Sequence, residues 1–265
     1  MTKFRIFLAD NGSLEPGSTL ALRSLAAELG RTMGHEVRAV SMLHSGKVAP
    51  ELLGGEPAVL FKDAAKAAAL DGAEELIVIP LFLGPSRTVT ESIPEQVREA
   101  GAWLRLRAAP PLYGADGAVR KILLDNLIAA GWARGTGSVL LCDHGSPSRE
   151  MTAVRDALAA ELRGGLKLSA DDLTACSMER RPGDKYAFNE PLLESAIGKA
   201  RGEAIVLMQF LLPGRHAGTG GDVAEICREH APADLKWKLS PLIGAHPGLP
   251  ALLEERFRQV APELV

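Results

Sequence analysis

The chain carries one sequence pattern twice, and this internal repeat limits the possible folds more than any other feature. Residues 25–29 read LAAEL, and residues 158–162 read the same 133 positions later. The same offset aligns residues 10–13 (DNGS) with residues 143–146 (DHGS), and each tetrapeptide directly follows an apolar run. Two independent matches at one offset indicate that the chain contains two copies of a single structural unit.

Further blocks extend the repeat to the end of the chain with small changes of offset, which place short insertions in loops. Aligned blocks are residues 39–42 with 175–178, 77–87 with 205–215, 93–99 with 223–229, and 111–114 with 241–244.

Each copy alternates short β-branched or apolar runs with alanine- and leucine-rich stretches of helical period, a pattern typical of βαβ units. We therefore predict an α/β fold of two Rossmann-like lobes, residues 1–133 and 134–265, each a four-stranded parallel sheet flanked by helices. Strands are expected at about residues 4–9, 36–42, 75–82, 104–108, 138–142, 171–177, 204–210 and 235–239, and first-copy helices at about 18–33, 57–71, 89–100 and 116–130.

Composition excludes several classes of protein. The net charge of −3 and the lack of long lysine or arginine runs give no general attraction for nucleic acid or an anionic membrane. No apolar stretch reaches about 18 residues and the amino terminus has no signal-peptide pattern, so a cytoplasmic location is expected. Cys142, Cys176 and Cys227 show no CxxC pairing. We expect them to be reduced thiols with a packing role.

Three side chains of the second copy stand where successive predicted strands end: His144, Glu179 and His216. Because parallel strands end at one edge of a sheet, these side chains should converge there. Two imidazoles and a carboxylate suit a divalent metal ion, and imidazole also accepts protons near neutral pH. The corresponding positions of the first copy are Asn11, Leu43 and Thr88.

The first copy thus keeps the pattern and lacks the ligands, which predicts a working site in the second copy only. Other interpretations remain open from the residues alone. Both histidines could be hydrogen-bonded turn residues, and Glu179 could be an ion-pair partner of the adjacent arginines. The Gly-Ser pairs could cradle a phosphate, but neither GxGxxG nor GxxxxGKS is present. The absence of GxSxG argues against a serine nucleophile.

Cationic residues surround the candidate site in sequence, and guanidinium groups pair bidentately with carboxylates. A polycarboxylate ligand is therefore expected. The predicted substrate-binding residues are Arg180, Arg181, Arg215 and Ser146, with Arg149 and Lys185 nearby.

With these residues in place, the sequence resembles the class II chelatases, and within them the sirohydrochlorin cobaltochelatases and ferrochelatases of cobalamin and siroheme biosynthesis. The resemblance covers essentially the whole chain, with the first copy as a degenerate form. One departure is that the family turn commonly has arginine directly after the serine, whereas Pro147 and Ser148 precede Arg149 here. The matching motifs are residues 143–146 (DHGS), Glu179, residues 210–216 (FLLPGRH) and residues 241–247 (PLIGAHP).

The resemblance implies that the chain inserts Co²⁺ or Fe²⁺ into sirohydrochlorin or a related acidic tetrapyrrole. It implies that His144 and His216 bind the metal and accept protons, with Glu179 assisting. The metal is then a substrate, no organic cofactor is needed, and the protein is expected to be a monomer or homodimer. Two alternatives stay open: a non-catalytic carrier of metal or tetrapyrrole, and a flavodoxin-like binder of a phosphorylated ligand.

Overall fold

The computed structural model describes residues 3–218 and 220–264. It contains two four-stranded parallel sheets flanked by helices, which confirms the predicted α/β fold. The strands are β1 (Phe4–Asp10), β2 (Val37–Ser41), β3 (Glu75–Pro80), β4 (Arg105–Ala108), β5 (Val139–Asp143), β6 (Leu173–Ser177), β7 (Glu203–Met208) and β8 (Lys236–Leu239). The helices are α1 (Pro16–Met33), α2 (Phe61–Leu70), α3 (Ile93–Ala100), α4 (Ala118–Ala129), α5 (Arg149–Leu166), α6 (Leu193–Ile197), α7 (Asp222–His230) and α8 (Leu249–Arg258).

Both sheets have the same strand order. The first runs β2-β1-β3-β4 and the second β6-β5-β7-β8, with every pair parallel. The central strands are nearly continuous apolar runs because helices cover both of their faces. From β5 the chain adds β6 on one side, and it then adds β7 and β8 on the other side. The carboxyl ends of β5 and β7 therefore flank a topological switch point, which is where open α/β sheets bind ligands.

Local sequence explains where the first-copy helices depart from expectation. The helix predicted over 57–71 begins only at Phe61, because Leu60 forms a bridge with Ser41 beside β2. The helix predicted over 89–100 starts with a π-helical turn, Thr88–Ser92, and is α-helical from Ile93, where Pro94 sits in the first turn.

The three cysteines lie together in the core on one face of the second sheet. All are free and buried, as the sequence predicted. Cys142 and Cys176 are register partners on β5 and β6, and burial raises the pKa of the Cys227 thiol to about 12. The three buried thiols act as small apolar packing residues.

The compact units of the structure differ from the two sequence copies. One unit runs up to Leu112 and resumes at Pro247, and the other is Tyr113–His246. Helix α4 therefore packs with the second sheet and α8 with the first, so the units do not follow the division predicted at residues 133 and 134.

Helices α4 and α8 are thus exchanged between the two sequence copies, since each packs with the sheet of the other copy. A buried polar side chain anchors each helix, and the two side chains stand at equivalent positions of the repeat. Asn126 of α4 donates a hydrogen bond to the carbonyl of Pro241 at 3.2 Å, and Arg256 of α8 donates to the carbonyl of Leu112 at 2.7 Å. None of the helices in the described part of the chain is long and apolar enough to cross a membrane.

Candidate functional site

The candidate site lies at the carboxyl edge of the second sheet. His144 directly follows β5, Glu179 lies two residues after β6, and His216 lies between β7 and α7. The structure brings the three side chains together: the two imidazole rings meet edge to face with centroids 4.7 Å apart. His144 Nε2 is 3.5 Å from Glu179 Oε1. All three side chains belong to one compact unit.

A glycine turn ties His144 to Glu179. Gly145 has φ of +90°, a conformation that favours glycine, and a Cβ built there would lie 1.9 Å from the carbonyl oxygen of Glu179. The Glu179 amide donates to the carbonyl of His144 at 3.2 Å. Glycine is therefore required for the two backbone segments to approach closely enough to present both ligands.

The first copy has the same backbone arrangement without the ligands. Gly12 has φ of +84°, and its added Cβ would also lie 1.9 Å from a carbonyl oxygen, that of Leu43. The Leu43 amide donates to the carbonyl of Asn11 at 3.0 Å. The repeat has therefore preserved this turn as a scaffold, and at the turn the two copies differ in the side chains that they present.

A buried polar network supports the histidine turn from below. Asp143 Oδ1 accepts hydrogen bonds from the Gly145 amide at 3.1 Å and the Ser177 hydroxyl at 2.6 Å. Arg155, only 2% exposed, donates to that hydroxyl at 2.6 Å and to the Asn189 carbonyl at 2.9 Å. Burial raises the pKa of Asp143, while Ser177 and Arg155 act to lower it.

Asn189 fastens the next residue of the turn. Its side-chain oxygen accepts from the Ser146 amide and its side-chain nitrogen donates to the Ser146 carbonyl, both at 2.9 Å. Sequence reasoning missed Asn189 and Arg155. A signal existed for Arg155, since it occupies a core position of its helix where the first copy has Leu22. For Asn189 no pattern in the sequence pointed to the contact.

Hydrogen bonds fix the protonated nitrogen of each imidazole. His144 Nδ1 lies 2.9 Å from the Gly145 carbonyl oxygen, and His216 Nδ1 lies 2.7 Å from Asp222 Oδ2. Because a carbonyl and a carboxylate only accept, each neutral ring carries its proton on Nδ1. Each Nε2 then offers a lone pair for a metal ion or a proton. The partner carboxylate of His216 was also missed from sequence.

The predicted substrate-binding residues differ in their freedom to contact a ligand. Arg180 is engaged within its own loop, where Nε donates to Glu190 at 2.6 Å. Ser146 Oγ accepts from the Ser148 amide at 3.0 Å, a local turn contact. Arg215 is exposed, with Nε 3.6 Å from Asp222. Substrate contact by any of these residues stays a prediction.

A cationic and aromatic surface follows Glu179 in the chain. Lys185 lies over the ring of Tyr186, 4.9 Å from its centroid, and Arg149 lies over Phe188 at 4.6 Å. Hydrogen bonding to Arg181 and Lys185 lowers the pKa of the Tyr186 hydroxyl. Arg149, Arg181 and Lys185 are exposed, so their cationic groups are open to a ligand.

Among residues 3–218 and 220–264, no group of three or more histidine, cysteine, aspartate or glutamate side chains is already arranged to hold a metal ion. The two imidazoles and Glu179 are adjacent donors in an open arrangement. Metal binding by these three residues therefore stays a prediction.

Comparisons with known proteins show which folds this chain resembles. The CbiX family model matches residues 138–260, while no curated protein matches the sequence. SirB from Bacillus subtilis with Fe³⁺ has a TM-score of 0.69 at 17% identity, covering 98% of this chain and 96% of that chain. SirB from Bacillus subtilis subspecies spizizenii in complex with cobalt has a TM-score of 0.67 at 15% identity, covering 99% and 97%.

A third similar structure is CbiX, described as the terminal enzyme for biosynthesis of siroheme in denitrifying bacteria. It has a TM-score of 0.65 at 18% identity, covering 96% of this chain and 98% of that chain. At these identities the three likenesses establish the two-sheet fold over nearly the full length.

Proposed function

We propose that the chain is a sirohydrochlorin chelatase, on the premise that residues 138–260 match the CbiX family model, a match that confirms the predicted family resemblance. It inserts a divalent metal, Co²⁺ or Fe²⁺, into sirohydrochlorin or a related acidic tetrapyrrole. The similar structures named above are a SirB with Fe³⁺ and a SirB chelatase in complex with cobalt. The metal is a substrate here, and the site that receives it is His144, His216 and Glu179.

The observation that carries the proposal is the meeting of two imidazole rings and one carboxylate at the carboxyl edge of the second sheet. His144 Nε2 lies 3.5 Å from Glu179 Oε1, so these two atoms can share one cation between them. Imidazole nitrogen and carboxylate oxygen both bind divalent metals at about 2.0–2.2 Å, so a separation of 3.5 Å would allow both atoms to hold one ion. His216 supplies a third donor from the edge of the His144 ring.

The same groups suit the second requirement of metal insertion, which is removal of two pyrrole N–H protons. The net reaction exchanges two protons of the macrocycle for one divalent cation. A neutral imidazole with Nδ1 protonated accepts a proton at Nε2, and the carboxylate accepts another. Because the donors are exposed on one side, the metal can leave them as the tetrapyrrole nitrogens replace them.

The positive face beside the site supports an acidic substrate. Arg149, Arg181 and Lys185 are exposed beside the rings of Tyr186 and Phe188, so the face offers cationic groups and aromatic stacking together. Carboxylate side groups on the rim of a planar macrocycle match both features.

The test is the initial rate of Co²⁺ insertion into sirohydrochlorin, followed by the absorbance change and expressed per folded protein. His144→Ala or His216→Ala should lower the rate by at least about 100-fold, because each removes a ligand and a proton acceptor. The matched controls are Asn11→Ala and Thr88→Ala, the equivalent positions of the first copy, which should keep near wild-type rates.

Full activity in the His144→Ala, His216→Ala double variant would refute the proposed site. A wild-type protein that binds Co²⁺ yet never transfers it to the tetrapyrrole would instead be a carrier. Comparable losses from the Asn11 and Thr88 controls would show that the first copy takes part in the reaction.

A further inference from the structure

Asp222 contacts His216 and has no assigned role. It is the first residue of α7, and its Oδ2 lies 2.7 Å from His216 Nδ1 and 3.6 Å from Arg215 Nε. The Asp222 and His216 side chains are both about one-third exposed. The bond therefore lies at the wall of the site, where the ring is held without being buried.

The internal repeat shows that this carboxylate accompanies the histidine. In the first copy, Thr88 stands at the position of His216 and Ser92 at that of Asp222. The equivalent arginine is kept as Arg87, but it pairs with Glu91 at 2.7 Å in an ion pair within its own helical turn. Copy one thus lacks both members of the histidine–carboxylate pair and keeps the neighbouring arginine.

We propose that Asp222 is a positioning residue that holds the His216 ring and keeps its proton on Nδ1, so that Nε2 is available to the incoming metal. The proposal rests on the proposed function and adds the residue that makes His216 a competent ligand. A carboxylate behind a ligating imidazole fixes its tautomer and orientation, and loss of such a partner weakens metal affinity by about 10- to 100-fold.

A different role for Asp222 must be separated from this one. Acidic residues in the first turn of a helix stabilise it through the helix dipole, and α7 has two of them, Asp222 and Glu225. Glu225 is exposed and lies three residues after Asp222, which is the residue that contacts His216. Glu225→Gln is therefore a matched control, because it removes a first-turn charge and leaves the imidazole contact intact.

The first test is titration of the full-length protein with Co²⁺, followed by the visible d–d absorbance. Asp222→Ala should weaken Co²⁺ binding by about 10- to 100-fold. Asp222→Asn should lie between that variant and wild type, because its amide oxygen still accepts the Nδ1 proton without a charge. Glu225→Gln should bind Co²⁺ as wild type does.

The second test does not depend on metal or activity. Nitrogen-15 NMR of the histidine rings should show His216 as the Nδ1–H tautomer in wild type and Asp222→Asn, and a shift toward Nε2–H in Asp222→Ala. Wild-type Co²⁺ affinity in Asp222→Ala, or an unchanged tautomer, would overturn the inference. Failure of the proposed function is a separate result, namely full insertion activity in the double histidine variant.

Discussion

Gly145 controls the geometry of two proposed ligands at once. Its positive φ and its close approach to the Glu179 carbonyl mean that any Cβ must separate the segments bearing His144 and Glu179. Gly12 makes the same approach to Leu43 in the first copy, where no ligand depends on it. The repeat thus provides an internal control for a substitution that would otherwise confuse lost stability with lost function.

We predict that Gly145→Ala and Gly12→Ala each destabilise the protein by roughly 1–3 kcal/mol, because both impose the same backbone strain. Only Gly145→Ala should also weaken Co²⁺ binding and slow insertion per folded molecule. Urea unfolding measures the first effect, and Co²⁺ titration under conditions where both variants are fully folded measures the second. Equal Co²⁺ affinity in the two variants would contradict the proposed placement of the ligands.

The helices that cover the β1 and β5 turns differ at the buried position nearest the turn carboxylate network of the second copy. Helix α5 supplies Arg155 to the network around Asp143, whereas Leu22 occupies the equivalent position of α1. The first-copy carboxyl, Asp10, is 7% exposed, and its Oδ1 has no hydrogen-bond partner. Burial accordingly raises the pKa of Asp10 to about 6.

This raised pKa predicts a pH-dependent contribution to stability from the first copy. Ionised Asp10 destabilises the folded state at neutral pH, so stability from this group is lost as pH rises through about 6 and is fully present below about 4. The difference is about 3 kcal/mol for a pKa shift of this size. Asp10→Asn should remove that dependence and be the more stable protein at pH 7.5.

Urea unfolding at pH 7.5 and pH 4.5 tests the assignment, with exposed Asp234→Asn as the control. Between pH 7.5 and pH 4.5, the free energy of unfolding of wild type and of Asp234→Asn should rise relative to that of Asp10→Asn. If Asp10→Asn followed the wild-type pH dependence in parallel, Asp10 would not be the buried ionisable group responsible.

The elements show what sequence could and could not provide. Strand positions and the meeting of His144, Glu179 and His216 followed from the repeat, because parallel strands of known order end at one edge. Sequence marks Arg155 only as a charged residue at a core helix position. The contacts of Arg155 and Asp222 could not be predicted, because they depend on helix packing and on the path of the loop before α7. A residue at the end of a strand is placed by topology, whereas its supporting partners are placed by packing.

At the scale of the whole molecule, the exchange of α4 and α8 was also hidden from sequence. Each helix presents an apolar face and one anchoring polar residue, Asn126 or Arg256, and the two copies use equivalent proline-containing loops as acceptors. The apolar face and the anchoring residue of each helix therefore fit equally well against the sheet of its own sequence copy or the sheet of the other copy. Only the three-dimensional structure separates the two arrangements.

The exchange predicts which fragments fold. A fragment cut at the sequence repeat, residues 134–265, lacks α4, which buries Val119, Ile122, Leu123 and Leu127 in the unit that holds the site. Losing four such side chains removes roughly 6–12 kcal/mol of apolar burial, as much as the whole stability of a typical domain.

Residues 113–246 keep α4, so this fragment should melt cooperatively and bind Co²⁺, while 134–265 should show neither property. Circular dichroism melting and Co²⁺ titration of both fragments make the comparison, and a stable, Co²⁺-binding 134–265 fragment would show that α4 is dispensable for the site.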